Sequence, residues 1–280
     1  MSYLITGATG VVGRHIVDKL VVLGAEVHAL SRKPDQANLP RSVQVFGGDL
    51  ASSDLEAAIF KGVKAIFLFA AFGDLKPFLG KAKAAGVERI VVLSSLAAAA
   101  EFPRDLDSPS YHHHRAIEQA VESSGIPYTF LRPGSFANNL LFWSYSIKTT
   151  RTVSGPYPQS AQVLIHELDV ADVAVTVLTT DGHEGASYAL TGPESLTQAE
   201  QLKTIGAAIG QQLTFQTITP EQFTQSMRQF MPADIIKMML DYWSDTVEQP
   251  EAVRPTVEQI TGRPGLSLAR WAADHASDFI

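Results

Sequence analysis

The segment YLITGATGVVGRHIVDKLVVLG (residues 3–24) joins a short apolar run to an amphipathic stretch through a glycine-rich turn. YLIT has the length and composition of a buried strand, and GRHIVDKLVVLG repeats its apolar residues with helical spacing. Gly7, Gly10 and Gly13 follow the strand with the spacing G-x-x-G-x-x-G. This order of strand, glycine turn and helix predicts the first βα unit of a parallel sheet.

The same alternation continues through the first half of the chain. Further runs of strand length are EVHAL (26–30), VQVF (43–46), AIFLFA (65–70), RIVVLS (89–94) and PYTFL (127–131). Helix-like segments lie between them: SDLEAAIFKG (53–62), LKPFLGKAKAAG (75–86) and SYHHHRAIEQAVESSG (110–125). Consecutive apolar residues are typical of strands that are covered on both faces. The pattern predicts an α/β fold with a Rossmann-type doubly wound parallel sheet over residues 1–133.

The second half is less regular. We expect residues 134–280 to form a smaller, mostly helical substrate-binding lobe with short strands, packed at the mouth of the first domain. Residues 134–168 are loop-like and rich in aromatic side chains. DVADVAVTVLTT (169–180) has helical spacing, and ASYALTG (186–192) has the pattern of a strand that could return to the sheet.

The composition excludes several classes of protein. The chain has 280 residues, a formal charge of -7 and no cysteine, so disulfides and thiolate metal sites are impossible. No run of Lys and Arg indicates binding to a nucleic acid, and no apolar run is long enough to span a membrane. Because a strand begins almost at the first residue, we expect no signal peptide and a cytoplasmic protein. We also expect the protein to be a monomer or a homodimer.

The glycine turn suits the pyrophosphate of a dinucleotide. The first glycine permits a tight turn, the second lets the backbone approach a phosphate, and the third lets helix and strand pack closely. The N–H groups at the start of the helix would bind the phosphate oxygens. The candidate cofactor contacts in this segment are Gly7, Thr9, Gly10, Val11, Val12 and Gly13.

The end of the second strand indicates which dinucleotide binds. An NAD site normally has Asp or Glu here for the ribose hydroxyls, whereas this chain has Ser31, Arg32 and Lys33. A hydroxyl and two cations suit a 2′-phosphate, so NADPH is preferred over NADH. The alternative is that Arg32 and Lys33 are solvated loop charges.

Two further strand ends carry candidate cofactor contacts. After the third strand, Asp49 could accept from the adenine amino group beside Leu50, or it could cap the following turn. After the fourth strand, Ala70, Ala71 and Phe72 would lie along the cofactor. The alternative is that the alanines fill the core and that Phe72 contacts the other lobe.

The motifs GATGVVG (7–13), SRKP (31–34), VVLSS (91–95) and SGIPYTFLRPGSFANNL (124–140) resemble those of NmrA-like atypical short-chain dehydrogenase/reductases. Within that family the chain is similar to bacterial NAD(P)H-binding quinone reductases. The resemblance implies that the segment after the sixth strand lies beside the nicotinamide. It places there Pro133, Gly134, Ser135 and Phe136, with Asn138 and Asn139 nearby.

The helix that begins near residue 110 departs from the general reductase pattern of Ser with Tyr-x-x-x-Lys. The matching serines are Ser94 and Ser95. Aligned by the rest of the helix, Ser110 takes the tyrosine position and His114 takes the lysine position. One residue later, Tyr111 pairs with Arg115, whose guanidinium has a different shape from an ammonium group.

The adjacent histidines point in different directions around a helix, so they cannot form one metal clamp, and we expect no metal. His114 could contact the cofactor ribose, since imidazole can donate a hydrogen bond there. His112 or His113 could donate a proton to the substrate. The alternative is an ordinary helix start capped by Ser108 or Ser110.

A weak acid–base apparatus favours acceptors that take hydride readily. We therefore expect a reductase that transfers hydride from NADPH to a quinone or a similar conjugated carbonyl compound. The aromatic segment that could form a flat wall for a planar acceptor, or pack as core instead, contains Phe136, Phe142, Trp143 and Tyr145. The alternatives are a redox sensor that binds NAD(P) without turnover and a reductase that tailors a secondary metabolite.

Overall fold

The computed structural model describes residues 1–52 and 54–280, which form two compact units. Unit 1 comprises residues 1–99, 110–133 and 167–189, and unit 2 comprises residues 100–109, 134–166 and 190–280. The chain leaves unit 1 between Pro133 and Gly134, and it returns for the segment 167–189. No helix of the described residues is long and apolar enough to cross a membrane.

The bounds of the secondary-structure elements are as follows. The strands are β1 (Ser2–Thr6), β2 (Glu26–Ser31), β3 (Gln44–Gly47), β4 (Val63–Phe69), β5 (Arg89–Leu93), β6 (Tyr128–Pro133), β7 (Thr152–Gly155), β8 (Ala161–Gln162), β9 (Ser187–Leu190), β10 (Leu196–Thr197) and β11 (Thr214–Thr217). The α-helices are α1 (Val11–Val22), α2 (Lys76–Ala84), α3 (Pro103–Leu106), α4 (Pro109–Ser124), α5 (Ser144–Thr150), α6 (Glu167–Thr179), α7 (Gln198–Ala208), α8 (Pro220–Met227), α9 (Ala233–Glu248), α10 (Thr256–Thr261) and α11 (Leu268–Asp274).

The central sheet of unit 1 has the strand order β3-β2-β1-β4-β5-β6-β9. Strands β1 to β6 pair in parallel, for example with Ser2 opposite Glu26 and Tyr3 opposite Ala65. This confirms the predicted doubly wound α/β fold. The strand order reverses between β1 and β4, and such switch points form a crevice at the carboxyl ends of the strands.

Apolar side chains from both faces of the sheet form the core of unit 1. Ile5, Ile66, Val91 and Leu131 are almost fully buried, which explains why the strands show no strict alternation of apolar and polar residues. The helices that cover the sheet bury one face each; in α1 this face includes Ile16.

Two sequence-based predictions of local structure were wrong. The segment 53–62 was predicted as a helix, but its described residues contain only the 3₁₀ turn Ala57–Phe60, and Ser53 lies outside the described residues. The single 3₁₀ turn already buries Ile59 and Phe60. Gly62, with φ +74°, follows it and ends the segment. The loop-like stretch 134–168 instead contains a 3₁₀ helix (Ala137–Trp143), α5, β7 and β8.

Unit 2 has a separate core, which explains the order in its aromatic-rich segment. Leu140, Ile147 and Trp271 are buried in this core, and Trp143 packs against it. Strand β7 pairs in parallel with β11, and β8 pairs antiparallel with β10. Core residues from several short elements share no single sequence period, so the pattern alone indicated a loop.

Candidate functional site

The glycine turn lies between the end of β1 and the start of α1. Gly7 has φ +62°, and Gly10 N–H donates to the carbonyl oxygen of Gly7 at 2.9 Å. A Cβ atom on Gly13 would lie 2.2 Å from that same oxygen, and one on Gly10 would lie 3.2 Å from it. Helix α1 therefore starts directly against the turn, and a side chain at residue 13 would separate them.

The start of α1 has the features of an anion site. Gly10 caps the helix without a side-chain hydrogen bond, and no acidic residue lies in the first turn. Thr9 and Val11 are exposed, whereas the Val12 side chain is buried beneath the turn. Helix N–H groups and the helix dipole favour a phosphate at such a position. The glycine turn thus fits a dinucleotide pyrophosphate.

The cations predicted for the 2′-phosphate lie just after β2. Ser31 is buried, and its Oγ accepts a hydrogen bond from the Lys33 backbone N–H at 3.1 Å. The Arg32 and Lys33 side chains are exposed, and neither forms an ion pair with any residue that the structure describes. Arg14 of α1 donates to the carbonyl oxygens of Ala37 and Asn38 at 3.0 and 2.8 Å, which ties the following loop to α1.

The other predicted cofactor contacts on unit 1 differ in exposure. Asp49 Oδ1 accepts from the backbone N–H of Ala51 at 3.0 Å, so at least one carboxylate oxygen caps its own turn. Three of these residues pack in or against the core of unit 1: Leu50, Ala70 and Ala71. Phe72, by contrast, is 82% exposed.

A fully buried carboxylate, Glu118 of α4, connects the carboxyl ends of β5 and β6. It accepts from Ser94 Oγ at 2.7 Å and from Arg132 Nε and Nη2 at 2.8 Å each. Arg115 donates to its Oε2 atom as well. Burial raises the pKa of Glu118, but the hydrogen bonds from Arg132, Ser94 and Arg115 outweigh it and hold the pKa below its usual value.

This cluster changes the interpretation of two candidate residues. The Ser94 hydroxyl is buried and donates to Glu118, which favours a structural role over contact with a substrate. The Arg115 guanidinium binds Glu118 and lies 3.8 Å from Glu122, so it is held within its own helix. The pair of Tyr111 and Arg115 therefore lacks the mobile cation that the Tyr-x-x-x-Lys pattern supplies. Sequence reasoning missed Glu118, because a glutamate in an amphipathic helix normally faces solvent.

The first turn of α4 contacts the ends of two strands of unit 1. Ser110 Oγ donates a hydrogen bond to Ser95 Oγ at 3.4 Å. His113 Nε2 lies 3.2 Å from the carbonyl oxygen of Ala70, and its ring stacks on Phe72 at 4.1 Å. A carbonyl only accepts, so this geometry has His113 protonated on Nε2.

His114 is held in the neutral form. Burial, together with the neighbouring charge of His113, lowers its pKa to about 4 despite the opposing charge of Glu118. Its Nδ1 atom is buried and has no hydrogen-bond partner among the described residues. At neutral pH His114 can offer one donor and one acceptor to a ligand but no positive charge, whereas His112 is exposed on the helix surface.

The segment after β6 belongs to unit 2 from Gly134 onwards. Gly134 N–H donates to the carbonyl oxygen of Leu190 at 2.9 Å, and Phe136 forms a parallel bridge with Ile165. Ser135 Oγ donates to the hydroxyl of Tyr242 at 3.1 Å, a partner that no sequence motif indicated. Of the nearby amides, Asn139 is exposed, and Asn138 Oδ1 is buried with no partner among the described residues.

The predicted aromatic wall divides into two groups within unit 2. Phe142 and Tyr145 are exposed, whereas Trp143 packs on the core with its ring 6.3 Å from that of Phe215. Phe136 is half-buried. The described residues contain no group of three or more His, Asp or Glu side chains arranged to hold a metal ion.

Comparison with known proteins places these features in a family. Residues 7–181 match a family described as NAD(P)H-binding. The chain is 34% identical to the (4-alkanoyl-5-oxo-2,5-dihydrofuran-3-yl)methyl phosphate reductase of Streptomyces griseus, covering 99% of this chain and 98% of the relative. It is 31% identical to the NAD(P)H azoreductase of Xenophilus azovorans, with coverage of 99% and 98%.

Solved structures show the same fold. The NADPH-dependent quinone oxidoreductase of Escherichia coli, in complex with NADPH, superposes with a TM-score of 0.81 at 24% identity, covering 97% of this chain and 99% of that one. The similarity extends over both units of the chain, which confirms the resemblance drawn from the sequence motifs. The chain thus belongs to the NAD(P)H-binding family and is an NAD(P)H-dependent oxidoreductase.

Proposed function

We propose that this oxidoreductase uses NADPH to reduce a planar, conjugated acceptor such as a quinone or an unsaturated carbonyl compound. The observation that carries the cofactor choice is the pair of exposed cations, Arg32 and Lys33, with no ion-pair partner among the described residues. A 2′-phosphate would neutralise them, whereas a bare ribose would leave them unpaired. When bound, NADPH supplies the hydride.

The acceptor class follows from what the first turn of α4 lacks. Ser94 and Arg115 are hydrogen-bonded to Glu118, and His114 is neutral, so these three side chains are poorly placed to help protonate a simple ketone. Quinones and activated double bonds need less help, because their anions are delocalised and can take a proton from water. Ser95, Ser110 and His113 then orient a ligand at the carboxyl edge of unit 1.

The relatives support the same class. The names of two of them specify an azo compound and a dihydrofuran with oxo and alkanoyl groups, and a solved neighbour is a quinone oxidoreductase. Each of these named acceptors contains a polarised or electron-poor double bond. The dihydrofuran phosphate reductase also supports a second candidate function, a reductase that tailors one specific metabolite.

The test is turnover of NADPH with a panel of benzoquinones, naphthoquinones, an azo dye, an alkanoyl furanone and simple ketones. We expect saturable loss of the reduced-nicotinamide absorbance with the conjugated acceptors and none with the ketones. Equal rates with simple ketones would contradict the proposed acceptor class. Turnover of the furanone alone would select the tailoring reductase, and tight NADPH binding without any turnover would instead favour a sensor.

Replacing Arg32 with alanine tests the cofactor choice. We expect the dissociation constant of NADPH to rise about 10- to 100-fold, the usual cost of losing a charged hydrogen bond, while that of NADH changes little. Titration of dinucleotide fluorescence measures both constants. The matched control is Lys61→Ala, an exposed cation two residues before β4, at the amino ends of the strands. Equal weakening of both dinucleotides by Arg32→Ala would refute the phosphate assignment.

A further inference from the structure

The loop that joins β4 to α2 exposes a large apolar side chain, although its backbone is held in place. Phe72 is 82% exposed. Just before it, the N–H group of Ala71 donates to the carbonyl oxygen of Phe69 at 2.8 Å. Just after it, Gly73 has φ +115°, and a Cβ atom there would lie 2.5 Å from that of Ala51. The backbone on both sides of the exposed ring is therefore constrained, and the close approach at residue 73 requires glycine.

A histidine of α4 determines the orientation of the Phe72 ring. The rings of Phe72 and His113 are stacked, with centroids 4.1 Å apart and an angle of 29° between the planes. His113 is positioned in turn by its Nε2 atom, which donates to the carbonyl oxygen of Ala70 at 3.2 Å. Both rings belong to unit 1. One face of Phe72 is thus covered, and the opposite face is left open to solvent in a defined orientation.

The exposed ring lies at the same edge of the sheet as the glycine turn. Strands β4 and β1 pair in parallel, with Ile5 opposite Phe67, so both end at the carboxyl edge. A Cβ atom on Gly7 would lie 2.9 Å from that of Phe69, the last residue of β4. Phe72 follows three residues later. Open α/β sheets bind their ligands at this edge, beside the point where the strand order reverses.

The electrostatics of an aromatic face indicate which ligand Phe72 would bind. The face of a phenylalanine ring is negative and its edge positive, so it favours offset stacking with a planar, electron-poor ring. Quinones are such rings. The ring of reduced nicotinamide is electron-rich, since it gives up the hydride, and the adenine of NADPH is predicted at β2, which β1 separates from β4. The open face therefore suits the acceptor better than either ring of the cofactor.

We propose that Phe72 is a specificity-determining residue that stacks on the ring of a planar, electron-poor acceptor, and that His113 is the positioning residue that orients it. This inference rests on the proposed function, since its ligand is the acceptor of that reaction. It narrows the acceptor from conjugated compounds in general to those with an aromatic or quinonoid ring. A ring that is oriented before binding loses little side-chain freedom when the acceptor arrives.

The first test replaces Phe72 with leucine, which keeps an apolar side chain but removes the aromatic face. The probe is the naphthoquinone menadione, and equilibrium dialysis in the presence of NADP⁺, which carries no hydride, measures its dissociation constant. We expect Phe72→Leu to raise this constant about 2- to 10-fold, the contribution of one aromatic pair, and Phe72→Tyr to leave it unchanged. Neither variant should change the dissociation constant of NADPH. Phe230→Leu, at a phenylalanine that is 71% exposed in unit 2, is the control.

The second test replaces His113 with glutamine, which keeps an N–H donor for the Ala70 carbonyl but removes the stacked ring. We expect His113→Gln to weaken menadione binding by no more than Phe72→Leu does. Because the histidine acts through Phe72, the double variant should bind menadione as Phe72→Leu alone does. Additional weakening in the double variant would show that His113 contacts the acceptor itself, and it would overturn the positioning role.

The remaining outcomes separate this inference from the proposed function. Unchanged menadione binding by Phe72→Leu would overturn the inference, and so would equal weakening by Phe72→Leu and Phe72→Tyr. Weakened NADPH binding by Phe72→Leu would assign the ring to the cofactor and overturn it as well. Menadione binding that depends on Phe72, without NADPH turnover of any conjugated acceptor, would refute the proposed function alone. Thermal unfolding of each variant separates lost affinity from lost folding.

Discussion

Replacing Glu118 with glutamine is expected to lower the free energy of unfolding by about 3–5 kcal/mol, the usual cost of removing one partner from a buried ion pair. The amide keeps the size of the side chain but leaves Arg132 without its carboxylate partner and Arg115 with only the more distant Glu122. The amide nitrogen of the glutamine would also point N–H groups at the N–H groups of the arginines, where no acceptor remains. Denaturant unfolding measures the change. Glu122→Gln is the matched control on the same helix, because Glu122 is exposed and lies 3.8 Å from Arg115.

The same substitution has an expected dependence on pH. The folded-state pKa of Glu118 lies below its usual value of 4.5, so the unfolded chain takes up the proton first as the pH falls. The stability that Glu118 contributes is therefore complete above that value and is lost as the pH falls through the folded-state pKa. Glu118→Gln should remove this part of the acid decline. The assigned role would be contradicted if the stability of Glu118→Gln declined at low pH as steeply as that of the wild type. It would also be contradicted if Glu118→Gln lost no more free energy of unfolding than Glu122→Gln.

Replacing Gly13 with alanine is expected to raise the dissociation constant of NADPH about 10- to 100-fold, the effect of losing a charged hydrogen bond to the pyrophosphate. The added Cβ would lie 2.2 Å from the Gly7 carbonyl oxygen and 2.8 Å from its carbon, so the turn and the helix must separate. Overpacking of this kind should also lower stability by about 1–3 kcal/mol. Dinucleotide fluorescence and thermal unfolding measure the two effects.

Gly80→Ala is the control for that substitution. Gly80 lies inside α2, and a Cβ atom there would meet nothing within 4 Å. Its replacement should stabilise the helix by up to about 1 kcal/mol and leave NADPH binding unchanged. If Gly13→Ala bound NADPH as tightly as Gly80→Ala does, the glycine turn would not be the pyrophosphate site.

Local pattern was sufficient for the sheet of unit 1. Each strand of a parallel sheet is buried on both faces, so short apolar runs such as YLIT and RIVVLS can be recognised as strands from a few residues. The glycine spacing after β1 is equally local, because the close approach of α1 to Gly7 involves residues that are neighbours in sequence. Arg32 and Lys33 directly follow β2, so their position is also specified by neighbours in the sequence. These features depend on short-range geometry, which residue order specifies.

Long-range contacts decided the rest. Glu118 looked like a surface residue of an amphipathic helix until the fold brought Arg132 and Ser94 to it, 14 and 24 residues away in sequence. Ser135 meets Tyr242 across 107 residues, and no motif links them. Sequence alone determined the strand–turn–helix framework and the charge beside it, because those depend on neighbours in the chain. Only the tertiary structure decided which hydroxyls, imidazoles and cations are occupied by partners, because burial and hydrogen bonding are set by residues that folding brings together.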